Sequence, residues 1–370
     1  MSLKVGGTIG PYKLLHDFEA GANCRWAIAE RDGEQFFVKE FHRPKYPPDS
    51  LVGTLREEKL ERCRQFEDRH KRLVSAMGRV CAPGGNIVMP VNFFRVGLAY
   101  YHIAPKVDIA SETPAQVASL PISERLVLLR LLSRSILTLH SQKIVHGDLK
   151  PSNVLIHRSR GGLLAPKLID FDGSFFEGRP PDRDDMAFDQ NYMAPEVLAY
   201  NKEDCDRRDV KPTDLGTAAD VFSLGILLHE FWTGSRPKLP GGHLYPAEAV
   251  QAGQRPYVSL RDMDGELTSL IVTSLELSPA RRPPIESIDA AIGAAQSMLR
   301  GGPVKKAISP GSSVPKVEVR FRAAPRTEAA APPKIAPRRS LPEPSLATSS
   351  AANPSPVVVR KSRNLRDKES

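Results

Sequence analysis

Asp148 and Asn153 stand five residues apart in His146-Gly147-Asp148-Leu149-Lys150-Pro151-Ser152-Asn153, with Lys150 between them. These are the residue types that phosphoryl transfer needs. A carboxylate must orient an attacking hydroxyl and accept its proton, an oxygen ligand must hold Mg²⁺, and positive charge must stand near the moving phosphoryl group. Asp148 can supply the first, Asn153 the second and Lys150 the third. Asp170 follows the short apolar run Lys167-Leu168-Ile169 and opens Asp170-Phe171-Asp172. A carboxylate at that point can chelate Mg²⁺ across two phosphates. Taken singly, each side chain has an ordinary structural use: Asp148 can cap a turn and Asn153 can bond a loop. Only the joint set points to chemistry.

The surrounding elements must bring these groups together. Tyr12–Phe18, Trp26–Glu30 and Gln35–Phe41 read as strands, with Arg31-Asp32-Gly33-Glu34 as a turn. Beyond Pro44–Pro48 the pattern becomes helical from Thr54 to Met77, with Leu55, Cys63, Phe66, Leu73 and Met77 on roughly one face. Ile87–Phe94 and Leu98–Ile103 read as two more strands, joined across Arg95–Gly97. After Pro114 helices dominate. Ser123 can cap a helix whose apolar stripe is Leu126, Leu129, Ile136 and Leu139. Val154–Ile156 and Lys167–Ile169 are short strands, and Ala218–Thr233, Glu266–Leu277 and Ile285–Leu299 are helices, the last stopped by Gly301-Gly302.

Composition bounds the rest. At 370 residues the chain has room for a sizeable core. Residues 301–370 carry 14 Lys and Arg against 5 Asp and Glu, a surplus of 9 that equals the surplus of the whole chain, 52 against 43. Residues 1–300 therefore balance, and the basic character belongs to the tail. Rich in Pro, Ala, Ser and Arg, that tail cannot bury enough surface to offset its chain entropy, so it is expected to be disordered. Its charge suits nucleic acid, anionic lipid or an acidic protein face, or simply solubility. Val317–Arg322 alternates apolar and basic residues and could add as a strand to a partner, and Ser340 follows two arginines as a possible autophosphorylation or docking site. The four cysteines Cys24, Cys63, Cys81 and Cys205 lack metal-ligand spacing and suit a reducing compartment. No apolar run reaches the roughly 18 residues of a membrane span, and the N-terminus has no signal-peptide pattern. The expectation is a soluble cytoplasmic protein.

The catalytic-loop and Asp170 segments resemble those of eukaryotic-like (Hanks-type) Ser/Thr protein kinases, and the resemblance runs in order over residues 10–298. It implies an α+β, bilobal fold over residues 1–300. A small antiparallel N-lobe with one long helix would span about 1–105, and a larger, mainly helical C-lobe about 106–300. It implies ATP and Mg²⁺, with Mn²⁺ as a substitute, and a protein substrate. Lys39 resembles the phosphate-binding lysine. Tyr192-Met193-Ala194-Pro195-Glu196 resembles the end of an activation segment. Asp220 resembles the aspartate that holds the catalytic loop's backbone, and Arg282 the partner of Glu196. Lys150, two residues after Asp148, resembles the Ser/Thr-directed branch. Glu57, Glu58, Glu61 and Glu67 all lie on the long helix; Glu67, bordering its apolar face, is the choice for the carboxylate that pairs with Lys39. The nucleotide is expected under Gly21 and Trp26, beside Ile103 and Ala104, over Leu155.

Several residues depart from the family pattern. Of the Gly-rich loop only Gly21 survives, with Glu19 and Cys24 at the other glycine positions, and Arg25 stands ready to add a charge. Trp26 and Phe37 are large where the family covers adenine with small residues. Pro105 removes a backbone donor near the adenine. Gly147 replaces the arginine that reads an activation-loop phosphate. Residues 173–196 hold no threonine and one serine, Ser174, but carry Glu177, Asp182, Asp184, Asp185 and Asp189. Activity without loop phosphorylation and a substrate with a basic surface are therefore expected. Asp172 replaces the glycine of Asp-Phe-Gly and is expected to restrict the turn's motion. A pseudokinase scaffold that binds without turnover, and a small-molecule kinase of the same fold, are the other readings. Ala20–Trp26, Lys39-Glu40-Phe41 and Pro44–Pro47 further resemble a bacterial subgroup, implying a metal-dependent phosphatase and a von Willebrand A-type protein as partners.

Overall fold

The structure, a computed structural model, describes residues 4–21, 24–82, 84–107, 112–158, 162, 164–183, 186, 188–201 and 210–300. Ala22, Asn23, Asp184, Asp185, Cys205, Gly301-Gly302, Val317–Arg322, Ser340 and the whole expected tail lie outside the described residues.

The N-terminal sheet is antiparallel, and two-residue turns fix its register. Strands β4 (Cys24–Arg31) and β5 (Glu34–Phe41) pair from Cys24↔Phe41 to Arg31↔Glu34. Asp32 and Gly33, with φ of 56° and 79°, supply the left-handed turn that matches strand twist. Strands β6 (Asn92–Val96) and β7 (Ala99–Pro105) close in the same way, and β7 lies against β5. Short strands β1 (Thr8–Ile9), β2 (Tyr12–Leu14) and β3 (Glu19–Ala20) bring the sheet to seven strands, in the order β1-β2-β4-β5-β7-β6 with β3 beside β4. That is two short strands more than the five expected. The strand expected from Ile87 is broken, because Pro90 has no N–H to give; Ile87 instead bridges to Leu168.

Alternation along β5 sorts the sheet's two faces. Phe36 and Val38 point outward into a core with Ile9, Tyr12, Leu14, Ala27, Tyr101 and Ile103. Lys39 and Phe41 point inward, where Phe41 packs with Cys63, Phe66 and Tyr100. Helix α1 (Thr54–Val80) covers this inner face with Cys63, Phe66 and His70, and its stripe continues at helical spacing through Leu73, Ala76 and Met77 into the core of the C-terminal portion. Its first two turns bury nothing, so Leu55, expected on the packed face, is half exposed.

The C-terminal portion is helical. Helices α2 (Pro114–Ala118) and α3 (Ile122–His140) precede β8 (Ile144–Val145) and the hairpin of β9 (Val154–Arg158) and β10 (Leu164–Leu168). Helix α3 starts one residue before Ser123, after Pro121, with no side-chain cap. Strand β11 (Phe175–Phe176) pairs with β8. Helices α4 (Pro195–Asn201), α5 (Ala218–Thr233), α6 (Pro246–Gln251), α7 (Gly265–Ser274) and α8 (Ile285–Leu299) follow. Helix α5 is apolar around nearly its whole circumference and is accordingly interior. Leu126, Leu129, Ile136 and Leu139 of α3 join Ile285, Ile288 and Ile292 of α8 in the main core. Among the described residues no helix is long and apolar enough to cross a membrane.

Candidate active site

The loop after β8 is held from below by one buried carboxylate. Asp220, in the first turn of α5, accepts hydrogen bonds from the backbone N–H of His146 at 2.7 Å and of Gly147 at 3.0 Å. His140 Nε2 lies 2.9 Å from the same group. Burial would push the Asp220 carboxyl up, but the hydrogen bond and charge of His140 hold it below its ordinary value. Gly147 has φ 82°, and a Cβ there would stand 2.8 Å from the Gly173 carbonyl oxygen. The departure at this position is thus a packing requirement: the chain passes too close to itself for any side chain.

Asp148, Lys150 and Asn153 come together on this loop. Asn153 Nδ2 donates to the Asp148 carbonyl at 2.8 Å and to its Oδ2 at 2.9 Å, and Lys150 Nζ lies 2.7 Å from Oδ2. Oδ1 of Asp148 is buried with no hydrogen-bond partner among the described residues. A buried carboxylate oxygen left open in this way is an acceptor for an incoming hydroxyl. The backbone N–H of Ile169 donates to the Asn153 carbonyl at 3.0 Å, so Asn153 and Asp170 are tied through adjacent backbone. Their carboxylate and amide oxygens suit a hard cation that keeps waters and shares substrate phosphates. Asp170 itself has φ 65°, a left-handed conformation that Asp tolerates better than most residues.

Lys39 reaches across from β5 to the Asp-Phe-Asp turn. Its Nζ lies 2.7 Å from Asp170 Oδ1 and 2.7 Å from Asp172 Oδ2. Burial would depress this ammonium, but Asp172 and Asp170 hold it well above its ordinary value. Glu67, expected as its partner, is placed elsewhere. It accepts from Tyr100 Oη at 2.7 Å and pairs with Lys71 at 3.3 Å. One residue past Phe66 is 100° around the helix, which leaves Glu67 at the edge of the packed face, where Tyr100 and Lys71 engage it. Sequence reasoning flagged Asp172 only as a missing glycine and gave no role to His102 or His70. The available signal was the spacing of His102 with Tyr100, which marks an inward-facing polar residue on an otherwise apolar strand face.

The nucleotide side of the cleft differs from expectation at two residues. Ile103 points to the outer face, in the core with Val38, and its carbonyl accepts from the Val91 N–H at 2.8 Å, so neither part is available to an adenine. Arg25 is also on the outer face, 2.7 Å from Glu40, with its guanidinium 4.7 Å from the Phe18 ring centre. It does not stand in for the missing glycine N–H groups. Trp26, Phe37 and Ala104 lie on the inner face, by register with Lys39 and Phe37 itself. Trp26 and Phe37 stack at 5.3 Å between ring centres, 22° from parallel. Leu155 alternates with the buried Val154 and Ile156 and so points away from the helical core. Gly21 closes the β3–β4 turn, its N–H donating to the Cys24 carbonyl at 2.8 Å, and a Cβ there would meet that oxygen at 3.0 Å.

Farther along, Glu196 and Arg282 form a buried bidentate pair at 2.7 Å and 2.7 Å. Arg282 also donates to the carbonyls of Ala218, Glu276 and Leu277, which locks α4 to the turn before α8. Ser174 is fully buried, and its Oγ donates to the His146 carbonyl at 2.9 Å.

A family model described as the protein kinase domain matches residues 21–291. Over 139 residues the chain is 34% identical to the mitochondrial serine/threonine-protein kinase ppk24 of Schizosaccharomyces pombe, covering 36% of this chain and 26% of that protein. Over 155 residues it is 32% identical to an Aurora kinase of Yarrowia lipolytica, covering 41% and 36%. Over 166 residues it is 27% identical to serine/threonine-protein kinase A of a Synechocystis strain, covering 44% and 30%. The chain thus spans only about a quarter to a third of the length of these relatives. With a match of that extent to the domain model, and with the loop of Asp148, the Asp170 turn and the Glu196–Arg282 pair in the order and contacts described, the chain belongs to the protein kinase domain family.

Proposed function

We propose that the chain is an ATP- and Mg²⁺-dependent protein kinase that transfers the γ-phosphoryl group to Ser or Thr hydroxyls of protein substrates. The observation that carries this reading is the open, buried Oδ1 of Asp148, held in place by Asn153 and Lys150. Asp148 accepts the hydroxyl proton, and Lys150 stands beside it as a positive charge for the phosphoryl group in transit. Asn153 and Asp170 would hold Mg²⁺, which neutralises phosphate charge when bound. Lys39 is the cation for the nucleotide phosphates. Trp26, Phe37, Ala104 and Leu155 are the apolar walls for the adenine.

Activity without loop phosphorylation forms part of the proposal. It is supported by the burial of Ser174 and by the Gly147 backbone, which leaves no room for a phosphate-reading arginine. A basic substrate surface is supported more narrowly than the sequence suggested, because Glu177 already pairs with Lys143 at 3.3 Å. The phosphatase and von Willebrand A-type partners, the bacterial subgroup and the cytoplasmic location rest on the sequence reading alone.

A nucleotide-binding scaffold without turnover is the second reading, favoured by the Trp26–Phe37 stack on the inner face of the sheet. The deciding experiment is transfer from labelled ATP with Mg²⁺, to the protein itself and to a generic basic substrate, beside Asp148→Ala. Label on Ser or Thr that vanishes in the variant establishes the kinase. Nucleotide binding with no label above the variant establishes the scaffold.

A further inference from the structure

The geometry points to Asp172, rather than any carboxylate on the long helix α1, as the residue that positions Lys39 for the nucleotide phosphates; we infer that this kinase fixes its phosphate-binding lysine from the Asp-Phe-Asp turn. The inference rests on the proposed role of Lys39 and assigns the partner that role requires.

An ammonium that must meet phosphates from the middle of a strand needs a fixed counter-charge. Otherwise its long, flexible stem samples many rotamers, and it loses free energy of binding in being ordered. Helix α1 offers none. The residues it buries are Cys63, Phe66, His70, Leu73, Ala76 and Met77, with no acid among them. Glu67 is held by Tyr100 and Lys71.

Asp172 meets the requirement. Its Oδ2 lies 2.7 Å from Lys39 Nζ, and its Oδ1, buried and without a hydrogen-bond partner among the described residues, lies 3.1 Å from His102 Nδ1. Lys39 and His102 are directly opposite one another in the β5–β7 pairing and so share the inner face. One carboxylate therefore bonds Lys39 of β5 and stands within ion-pair range of His102 of β7. His102 is backed by His70, at 6.0 Å between ring centres, and by Phe41 at 6.2 Å. His70 is fixed in turn through Nδ1, 3.0 Å from the Phe66 carbonyl. The side chains around Asp172 are thus locked by packing, a condition for positioning a catalytic group.

Lys39 also touches Asp170, but Asp170 is the proposed metal ligand. When its oxygens turn to a cation, Asp172 is the counter-charge that remains. Helix α1 then need not move to complete the site. A swing of that helix would break Phe66, His70 and Leu73 packing without removing the partner of Lys39.

The test compares Asp172→Asn, Asp172→Glu and Glu67→Gln with the unaltered full chain, by MgATP binding in titration calorimetry and by KM and kcat for phosphate transfer. Asp172→Asn keeps the shape and removes the charge. Expected is a weakening of MgATP binding of about tenfold, the scale of one hydrogen bond to a charged group, with a matching rise in KM. Asp172→Glu should recover part of it, and Glu67→Gln should stay within about twofold, the scale of an exposed ion pair. A fall in the amount of folded enzyme alone would lower the apparent kcat and leave KM unchanged; that result, or a tenfold loss in Glu67→Gln with Asp172→Asn unaffected, overturns the assignment. If the unaltered protein binds MgATP but transfers nothing, the kinase reading fails, and the binding comparison still decides the role of Asp172. If it binds no MgATP, both fail.

Discussion

Ser174 Oγ donates to the His146 carbonyl at 2.9 Å, and Ser174 is buried. It ties the start of the segment after Asp170 to the loop that carries Asp148. A kinase could not reach this hydroxyl without unfolding the turn. Ser174→Ala should therefore leave phosphate transfer within about threefold while costing about 1 kcal/mol of stability, the worth of one hydrogen bond. Ser174→Asp should destabilise far more, by burying a charge. Mass spectrometry alongside the transfer assay should find the active protein unphosphorylated at Ser174.

Gly147 carries both a positive φ and a contact with the Gly173 carbonyl that excludes a Cβ. Gly147→Ala should cost about 2 kcal/mol or more in urea unfolding, through strain and displacement of the 173 backbone. Gly147→Arg, which restores the family's usual residue, should lower transfer activity rather than bring it under phosphate control.

The Glu196–Arg282 pair is buried and bidentate, with further carbonyls on the guanidinium. Removing one partner leaves the other charge uncompensated. Arg282→Ala or Glu196→Ala should each cost about 3–5 kcal/mol, read as a fall in the unfolding midpoint. The double variant should be less destabilised than the two losses added.

His70 gives the fold an acid sensitivity. Burial, and the positive charge of Arg69 beside it, push its imidazole down to about 3, against about 6.5 in an unfolded chain. Because the folded value is depressed, the unfolded chain takes up the proton first as the pH falls below 6.5. His70 thus contributes its full stability above pH 6.5 and loses it progressively toward pH 3. Between pH 7 and pH 5 this amounts to about 2 kcal/mol. Urea unfolding at a series of pH values should show His70→Leu with a shallower acid slope than the unaltered protein.

Much of the site could be read from local pattern. Asp148, Lys150 and Asn153 lie within six residues of one another, so their approach needs only one loop and a short turn. The bounds read from the sequence for α5 and α8 agree with the structure, and α8 shows its Ile285, Ile288 and Ile292 face in the core. The Glu196–Arg282 contact, 86 residues apart in the chain, was implied by the resemblance of both segments to protein kinases and is present in the structure. What the pattern could not give is what stands opposite. Helical and strand periods say which side chains face inward, but a partner 133 residues away is set by how the lobes close. Glu67 lost its expected role to a 100° rotation, and the carboxylate that takes Lys39 came from a position that sequence alone marked only as a missing glycine. Likewise Ile103 and Arg25 turned to the outer face through strand register. Tertiary packing decided these placements, because a charge pair forms where two backbones meet, and neither backbone's local sequence specifies the other.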